Sequence, residues 1–255
     1  MENTLQQQIK RLRLTGLLQT FEQRLLQAQE QNLSFCDWLI LLLADEIQRR
    51  DNNAVKRRLS VAHFEQTQTL EEFQTKGYSA ESQQLIRELA CGHYLEQQRH
   101  IIIKGPVGTG KTHLAQAFGH HACMQGIPVI FVRANSLLRQ FDNHRQQGGY
   151  DQLLKYYAKP RLLIVDDFGL RKLTLNESQD FYELIVERYL KGSVIITTNR
   201  KTEAWHELFP DTVVGNTIMD RLCNQAFHVV LDGDSRRQLP TIGENKSTPK
   251  EAKLG

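Results

Sequence analysis

The chain has 255 residues, of which 40% are hydrophobic and 24% are charged. This composition is typical of one or two soluble globular domains and excludes a fully disordered chain. The 32 basic residues exceed the 29 acidic residues by only three. Extremely basic or acidic proteins are therefore excluded, and any binding to a polyanion must depend on local clusters of charge.

The four cysteines, Cys36, Cys91, Cys123 and Cys223, are far apart and form no CxxC pair. We expect reduced, mostly buried thiols in an intracellular protein and no disulfide framework. The first residues show no signal peptide, and the most apolar stretch, residues 38–44, is far shorter than the roughly 20 residues of a membrane helix. We therefore expect a cytoplasmic protein without a membrane partner.

Residues 1–96 are predicted to form an all-helical N-terminal domain, because apolar residues recur at helical spacing and no strand pattern occurs. Ser34 is predicted to cap a second helix, and Thr69 and Ser79 to begin two more. The second helix is expected to bury one apolar face, formed by Phe35, Trp38, Leu39, Leu42, Leu43 and Ile47.

A basic cluster follows this apolar face, and Asp51 alone opposes it in the sequence. A solvated helix surface or a subunit contact explains such a cluster as well as contact with DNA phosphates does. Contact with DNA would give salt-sensitive binding with little base specificity. The cluster consists of Arg49, Arg50, Lys56, Arg57 and Arg58.

The pattern changes after residue 96, where short β-branched apolar runs alternate with helical patterns. Such runs indicate a parallel sheet that is covered on both faces. We expect an α/β domain with a five-stranded parallel sheet over residues 97–240 and a disordered tail over residues 241–255. The five predicted strands are residues 100–104, 129–132, 162–165, 194–198 and 227–231.

The segment after the first predicted strand fits the pattern G-x-x-x-x-G-K-[ST] at every fixed position. Glycines let the backbone approach phosphates, and loop N–H groups at a helix N-terminus bind phosphate oxygens. The sequence predicts that Lys111 contacts the β- and γ-phosphates and that Thr112 is a Mg²⁺ ligand. The predicted phosphate loop comprises Gly105, Pro106, Val107, Gly108, Thr109, Gly110, Lys111 and Thr112.

Polar residues follow two further predicted strands. Asp166 and Asp167 come directly after the third strand, and Asn199 comes after the fourth. Beside a phosphate loop, Asp166 is predicted to hold Mg²⁺, and Asp167 to orient or deprotonate the attacking water. Asn199 is predicted to hydrogen-bond the γ-phosphate or that water.

Together these segments resemble the core of an AAA+ ATPase. The chain is most similar to the IstB-type transposition helper ATPases and to their relatives, the DnaC-type helicase loaders. The matching segments are residues 105–112, 163–169, 197–200 and 219–222. The helical N-terminal part resembles the IstB N-terminal domain as well, so the resemblance covers nearly the whole chain except the tail.

The resemblance implies an αβα core that binds ATP and Mg²⁺ between neighbouring subunits of a homo-oligomer. It also implies an arginine that reaches into the adjacent subunit's site, for which Arg221 is the candidate. Arg236 and Arg237 are weaker candidates for a further phosphate contact. In two respects the sequence departs from many AAA+ proteins: we expect no helical lid after the fifth strand, and Asp167 replaces a glutamate, which suits slow hydrolysis.

The leading functional hypothesis is an ATP-dependent helper of DNA transposition. It would assemble on double-stranded DNA with ATP and Mg²⁺ and deliver target DNA to a partner transposase, with hydrolysis resetting the complex. One alternative is a loader of a replicative helicase, which shares the ATPase core. The other is a nucleotide-gated DNA-binding scaffold with little turnover.

Overall fold

A computed structural model of the chain describes residues 2–224, 226–233 and 235–236. Arg237 and the predicted tail, residues 241–255, lie outside these ranges, so the expectations of a disordered tail and a missing lid stay predictions. Helices alone precede the first strand. They are α1 (Glu2–Arg11), α2 (Thr15–Glu30), α3 (Phe35–Ala62), α4 (Ala80–Ala90) and α5 (His93–Glu96).

The central sheet has five parallel strands in the order β2-β3-β4-β1-β5. All five predicted strands are confirmed, and no end is displaced by more than one residue. In chain order the elements are β1 (His100–Lys104), α6 (Lys111–Met124), β2 (Val129–Arg133), α7 (Ala134–Gln147), α8 (Tyr150–Ala158), β3 (Leu162–Asp166), α9 (Leu175–Arg188), β4 (Ser193–Thr198), a 3₁₀ helix (Thr202–Leu208), α10 (Thr212–Cys223) and β5 (Ala226–Val230).

Side chains on the two faces of the sheet enter two separate apolar cores. On one face, Ile102 and Ile196 pack with residues of α7, α8, α9 and α10. On the other face, Ile103 and Ile164 pack with residues of α4, α5 and α6 and with the last residue of α3. Because both faces are covered, the strands are mostly apolar, and most of their polar residues lie at or near the strand ends. An exception is His228 in the middle of β5, an edge strand. The division of the chain near residue 96 stays a prediction.

The helix caps predicted at Ser34 and Ser79 are confirmed. Each hydroxyl accepts a hydrogen bond at 3.2 Å from the N–H three residues later. The helix predicted at Thr69 is wrong, although the hydroxyl of Thr69 accepts the N–H of Glu72 at 3.4 Å. Only a turn forms there, because the following Phe73 is buried and stacks on Tyr78 beside the phosphate loop.

The predicted apolar face of α3 is buried to a much smaller extent than expected. Phe35 is 72% exposed and Ile47 is 60% exposed, while Leu39 and Leu43 are also exposed and only Leu42 is fully buried. The helix packs on α2 with the side that carries Leu42. Periodicity marks an apolar face of a helix, but it does not show whether a neighbour covers that face.

All four cysteines are free, but their predicted burial is wrong for two of them. Cys123 is buried and Cys223 is half-buried, whereas Cys36 and Cys91 are exposed. Cys36 lies in the first turn of α3, next to the exposed Phe35, and Cys91 follows the last residue of α4. Both exposed thiols therefore lie at helix ends, away from the two cores of the sheet.

A buried carboxylate joins α2 to α3. Glu46 is 3% exposed and accepts the N–H of Gly16 at 2.6 Å, and it is also bound by Arg49 at 3.1 Å and by Arg50 at 2.7 Å. Burial opposes the charge of Glu46, but hydrogen bonds from Arg49 and Arg50 dominate and lower its pKa to about 2. A second pair, Arg24 with Asp45, joins the same two helices.

Replacing Gly16 by alanine should destabilise this helical hairpin. A Cβ at Gly16 would lie 2.7 Å from Oε2 and 2.9 Å from Cα of Glu46, so the helices must separate. In an ordinary helix interior, replacing glycine by alanine stabilises the protein by up to about 1 kcal/mol. Here we expect the free energy of unfolding to fall by about 1–3 kcal/mol, because the buried hydrogen bond from Gly16 to Glu46 is weakened. Thermal unfolding followed by circular dichroism measures the difference, and a melting temperature at or above that of the unchanged protein would contradict it.

Candidate nucleotide-binding site

The predicted phosphate loop connects β1 to α6 at the carboxyl edge of the sheet. Gly108 and Gly110 have φ angles of +85° and +87°, which side-chain-bearing residues rarely adopt. A Cβ at Gly105 would overlap the carbonyl oxygen of Leu231. No side chain caps the first turn of α6, which begins at Lys111. Its N–H groups therefore point into the cleft and form a ready site for phosphate oxygens.

Lys111 lies within the curve of this loop. Its side chain is buried, and Nζ donates a hydrogen bond to the carbonyl oxygen of Pro106 at 2.7 Å. Thr109 closes the loop from the other side, since its hydroxyl also donates to Pro106, at 2.9 Å. The ammonium group thus stands where the loop N–H groups converge, which suits it to contact a phosphate.

Asp166, the last residue of β3, faces Thr112 across the cleft. The Thr112 hydroxyl donates to Oδ1 at 2.9 Å, and the Thr197 hydroxyl of β4 donates to the same oxygen at 2.6 Å. Burial and the nearby Asp167 raise the pKa of Asp166, which is only 1% exposed and has no ion-pair partner among the described residues. A buried carboxylate beside a hydroxyl is an oxygen-donor set that fits Mg²⁺.

The structure brings Asp167 and Asn199 into the same cleft, which has a volume of about 590 Å³. Asp167 has a φ angle of +56°, and its N–H donates to the Thr197 hydroxyl at 2.8 Å. This left-handed backbone turns the chain at the end of β3, so that two successive acidic residues both line the cleft. Lys111 of the phosphate loop lines the same cleft.

Arg221 lies at the opposite edge of the sheet. It is near the end of α10, where its backbone lies close to the side chain of His100, the first residue of β1. The length of β1, roughly 13 Å, therefore separates it from its own phosphate loop. The guanidinium lies 5.7 and 5.5 Å from the ring centroids of Tyr182 and Tyr189, and Nη1 is buried there without a hydrogen-bond partner among the described residues.

The sequence reasoning missed several residues that line the cleft or contact the phosphate loop. Arg133 ends β2 at a position paired with Asp166 in the sheet register, and it forms an ion pair with Glu65. Arg133 could have been identified from the sequence, because it directly follows a predicted strand, as Asp166 does. Tyr78 gave no signal, because it is far from the loop in sequence, yet its hydroxyl donates to the carbonyl oxygen of Thr109 at 2.6 Å.

Arg236, a weaker candidate from the sequence, also lines the cleft. Its N–H donates to the carbonyl oxygen of Gly108 at 2.9 Å, and its guanidinium lies 4.5 Å from the ring centroid of Tyr78. The chain after β5 therefore returns to the phosphate loop. Arg237 lies outside the described residues.

The basic cluster of α3 is less free than its sequence indicates. Asp51 was expected to be its only opposing acid, but Glu46 binds both Arg49 and Arg50. Residues three and four apart share one side of a helix, and sequence adjacency hides this pairing. Lys56 and Arg57 are exposed, Arg58 is half-buried, and Arg50 keeps 57% of its side chain exposed.

Comparison with known proteins agrees with this geometry. The family described as IstB-like ATP binding protein matches residues 7–241. The chain belongs to this family. The insertion-sequence ATP-binding protein Rv3427c of Mycobacterium tuberculosis is 35% identical over 240 residues, which cover 94% of this chain and 96% of that protein. The IS21 ATP-binding protein of Pseudomonas aeruginosa is 31% identical, covering 90% and 86%.

Solved structures show that this IstB-like chain has the AAA+ fold. The DnaC helicase loader matches with a TM-score of 0.55 and 22% identity over 69% of this chain and 98% of that one. AMPPCP-bound DnaA from Aquifex aeolicus matches with a TM-score of 0.54 and 24% identity over 66% and 51%. Among the described residues, no helix has the length and apolar character needed to cross a membrane.

Replacing Lys111 by alanine should abolish ATP binding. The loop N–H groups stay in place, but the cleft loses the positive charge that lies among them, so affinity should fall at least about 100-fold. Lys155, an exposed residue of α8, supplies the matched control, Lys155→Ala. Titration with a fluorescent ATP analogue measures both variants. Unchanged affinity in Lys111→Ala would refute the assignment of the phosphate loop.

Proposed function

We propose that this IstB-like protein is an ATP-dependent helper of DNA transposition. With ATP and Mg²⁺ it assembles on double-stranded DNA, and the assembly delivers target DNA to a partner transposase. The observation that carries the proposal is the convergence of the phosphate loop, Asp166, Asp167 and Asn199 in one cleft. The insertion-sequence origin of its relatives supports the link to transposition.

The cleft supports hydrolysis of ATP with a separate role for each residue. Lys111 and the loop N–H groups hold the phosphates. Thr112 and Asp166 would hold Mg²⁺, which would supply positive charge beside the phosphates. Asp167 orients or deprotonates the attacking water. Asn199 hydrogen-bonds the γ-phosphate or that water. Hydrolysis then releases or resets the complex.

The position of Arg221 supports an assembly in which subunits share sites. It is about 13 Å or more from its own phosphate loop, while its Nη1 lacks a hydrogen-bond partner among the described residues. In the proposed assembly the guanidinium leaves the rings of Tyr182 and Tyr189 and enters the cleft of a neighbouring subunit, where it stabilises charge on the phosphoryl group during transfer. Because hydrolysis in one subunit then needs Arg221 of its neighbour, ATP turnover is coupled to homo-oligomer formation.

The exposed charges of α3 support contact with duplex DNA. Lys56 and Arg57 are exposed and carry no ion pair among the described residues. They are the strongest candidates, while Arg49 and Arg50 divide their charge between Glu46 and solvent. Arg58 completes the proposed contact. Such phosphate contacts bind DNA independently of base sequence.

Two alternatives keep the same ATPase core. A replicative helicase loader is favoured by the fold likeness to the DnaC loader, and it would bind a hexameric helicase and prefer single-stranded DNA. A nucleotide-gated scaffold would need ATP binding but not turnover. Pull-down with transposase or helicase separates the first two functions, and retention of DNA assembly by Asp167→Asn would show that turnover serves only to reset the complex.

ATP-dependent assembly on duplex DNA tests the proposed function. We expect sedimentation and electron microscopy to show oligomers only when ATP and duplex DNA are both present, and a protein that stays monomeric would overturn the proposal. Lys56→Gln with Arg57→Gln should weaken DNA binding and reduce the slope of log K against log[salt] by about 2. The control pair Arg87→Gln with Lys155→Gln removes the same charge from α4 and α8 and should leave the slope unchanged.

Mixing two inactive variants tests whether Arg221 acts in a neighbouring site. Arg221→Ala and Asp167→Asn should each lose DNA-stimulated hydrolysis by about 100-fold or more. Mixed oligomers pair an intact cleft from the first variant with an intact Arg221 from the second. ATPase activity should therefore return to a substantial fraction of that of the unchanged protein. ATPase assays over a range of mixing ratios measure this. Absence of recovery, or full activity of Arg221→Ala alone, would contradict the assignment.

A further inference from the structure

A bidentate ion pair links the N-terminal helices to the rim of the nucleotide cleft. Nε and Nη2 of Arg133 lie 2.5 and 2.6 Å from Oε1 and Oε2 of Glu65. Arg133 ends β2, and Glu65 follows α3 by three residues. Both side chains line the cleft that also contains Lys111 and Asp166. The ion pair therefore forms part of the surface that faces a bound nucleotide.

The segment that carries Glu65 is attached to the helix of the phosphate loop. The N–H groups of Glu65 and Gln66 both donate to Oε1 of Gln116, at 2.9 and 3.1 Å. Gln116 is 3% exposed and lies on α6. Phe64 packs so closely on Gly119 of the same helix that a Cβ there would lie 2.7 Å from its ring. The segment after α3 therefore has two attachments to the core, these contacts with α6 and the ion pair to β2.

The Glu65–Arg133 pair also separates two cavities. On one side lies the nucleotide cleft, and on the other lies a cavity of about 460 Å³ lined by His63, Gln140 and Tyr157 among others. Both Glu65 and Arg133 line each of the two cavities. Opening the pair would join the cavities at the base of α3.

Bound ATP would compete directly with Glu65 for Arg133. The triphosphate brings several negative charges to the cleft, and these attract a guanidinium and repel a carboxylate in the same cavity. Arginine binds phosphate oxygens with the same two-pronged geometry that it uses for Glu65. The present pair is half exposed, with side-chain exposures of 56% for Arg133 and 38% for Glu65, so it is weak enough to exchange.

We propose that the Glu65–Arg133 pair couples ATP binding to the position of α3. When ATP binds, Arg133 leaves Glu65 and contacts the γ-phosphate. The segment after α3 then keeps its contacts with α6 but loses its ion pair to β2. The end of α3, with its basic cluster, can then shift toward its DNA-binding position. Arg133 is thereby a phosphate-positioning residue, and Glu65 restrains it when ATP is absent. This inference rests on the proposed ATP and DNA binding.

Two variants that each remove one charged side chain give opposite expectations for ATP affinity. Glu65→Gln removes the competitor, so affinity for a fluorescent ATP analogue should rise about two- to fivefold, with a smaller change for the ADP analogue. Arg133→Gln removes the phosphate contact, so ATP affinity should fall about tenfold or more. Glu187→Gln is the matched control, since it breaks the exposed pair with Lys191 and should change neither affinity.

The DNA readout tests the coupling itself. Both variants break the restraint, so both should bind duplex DNA without nucleotide more tightly than the unchanged protein does. The charge swap Glu65→Arg with Arg133→Glu would restore a purely structural ion pair, yet it places a carboxylate where the phosphate contact belongs. Its ATP affinity should therefore stay below that of the unchanged protein.

The outcomes separate this inference from the proposed function. Failure of the unchanged protein to bind ATP would overturn both together. The coupling alone would be overturned if the unchanged protein binds ATP normally and the two variants fail to differ. Such a failure means that Glu65→Gln and Arg133→Gln change the ATP affinity in the same direction or leave it unchanged. Full recovery of ATP affinity by the charge swap would also overturn it, because it would show a structural pair only.

Discussion

The buried carboxylate of Asp166 is the constraint on which the site depends. Two hydroxyls hold it, Thr112 from the start of α6 and Thr197 from β4, and the carboxylate itself ends β3. Three separate elements therefore meet at one pair of oxygen atoms. The strand order allows this arrangement, since β3 adjoins β4, and β4 adjoins the strand that leads into the phosphate loop. With 1% exposure and no ion-pair partner among the described residues, the carboxylate favours a cation beside it.

The long helix α3 uses its polar groups in two different ways. In its middle, Glu46 binds Gly16, Arg49 and Arg50 inside the helical hairpin, and these contacts fix α3 to α2. At its end, Phe64 and Glu65 contact α6 and β2. The helix is therefore fixed to the hairpin along one side and to the nucleotide-binding core at its end. Part of the basic charge is used within the protein, and only the remainder is available for a polyanion.

Local sequence patterns predicted the core well and the helical part less well. The strands and the phosphate loop were predictable because short apolar runs and fixed glycine positions act over a few residues. The burial of α3 was not, because the exposure of Phe35 and Ile47 depends on which helix packs nearby. Thr69 carried a helix-start signal, but burial of Phe73 outweighed it.

The same distinction between local and distant signals applies to the candidate site. Asp166, Asp167 and Asn199 follow strands, and parallel strands bring their carboxyl ends to one edge, so their convergence was predictable. Glu65 lines the cleft, and Tyr78 contacts the phosphate loop, although both belong to loops far away in sequence. No local pattern marks such residues, because their positions depend on how the N-terminal segment packs on α6. The pairing of Glu46 with Arg49 and Arg50 was hidden for a related reason, since it spans one helical turn.

The separation of Arg221 from its own phosphate loop limits the possible form of an assembly. The two groups lie at opposite edges of the sheet, so a contact between Arg221 and a neighbouring cleft joins two different surfaces. Such a head-to-tail contact is heterologous, and its repetition gives either a closed ring or an open helix. In the proposed assembly, the exposed basic residues of α3 would recur once in every subunit, which suits the proposed contact with an extended DNA backbone.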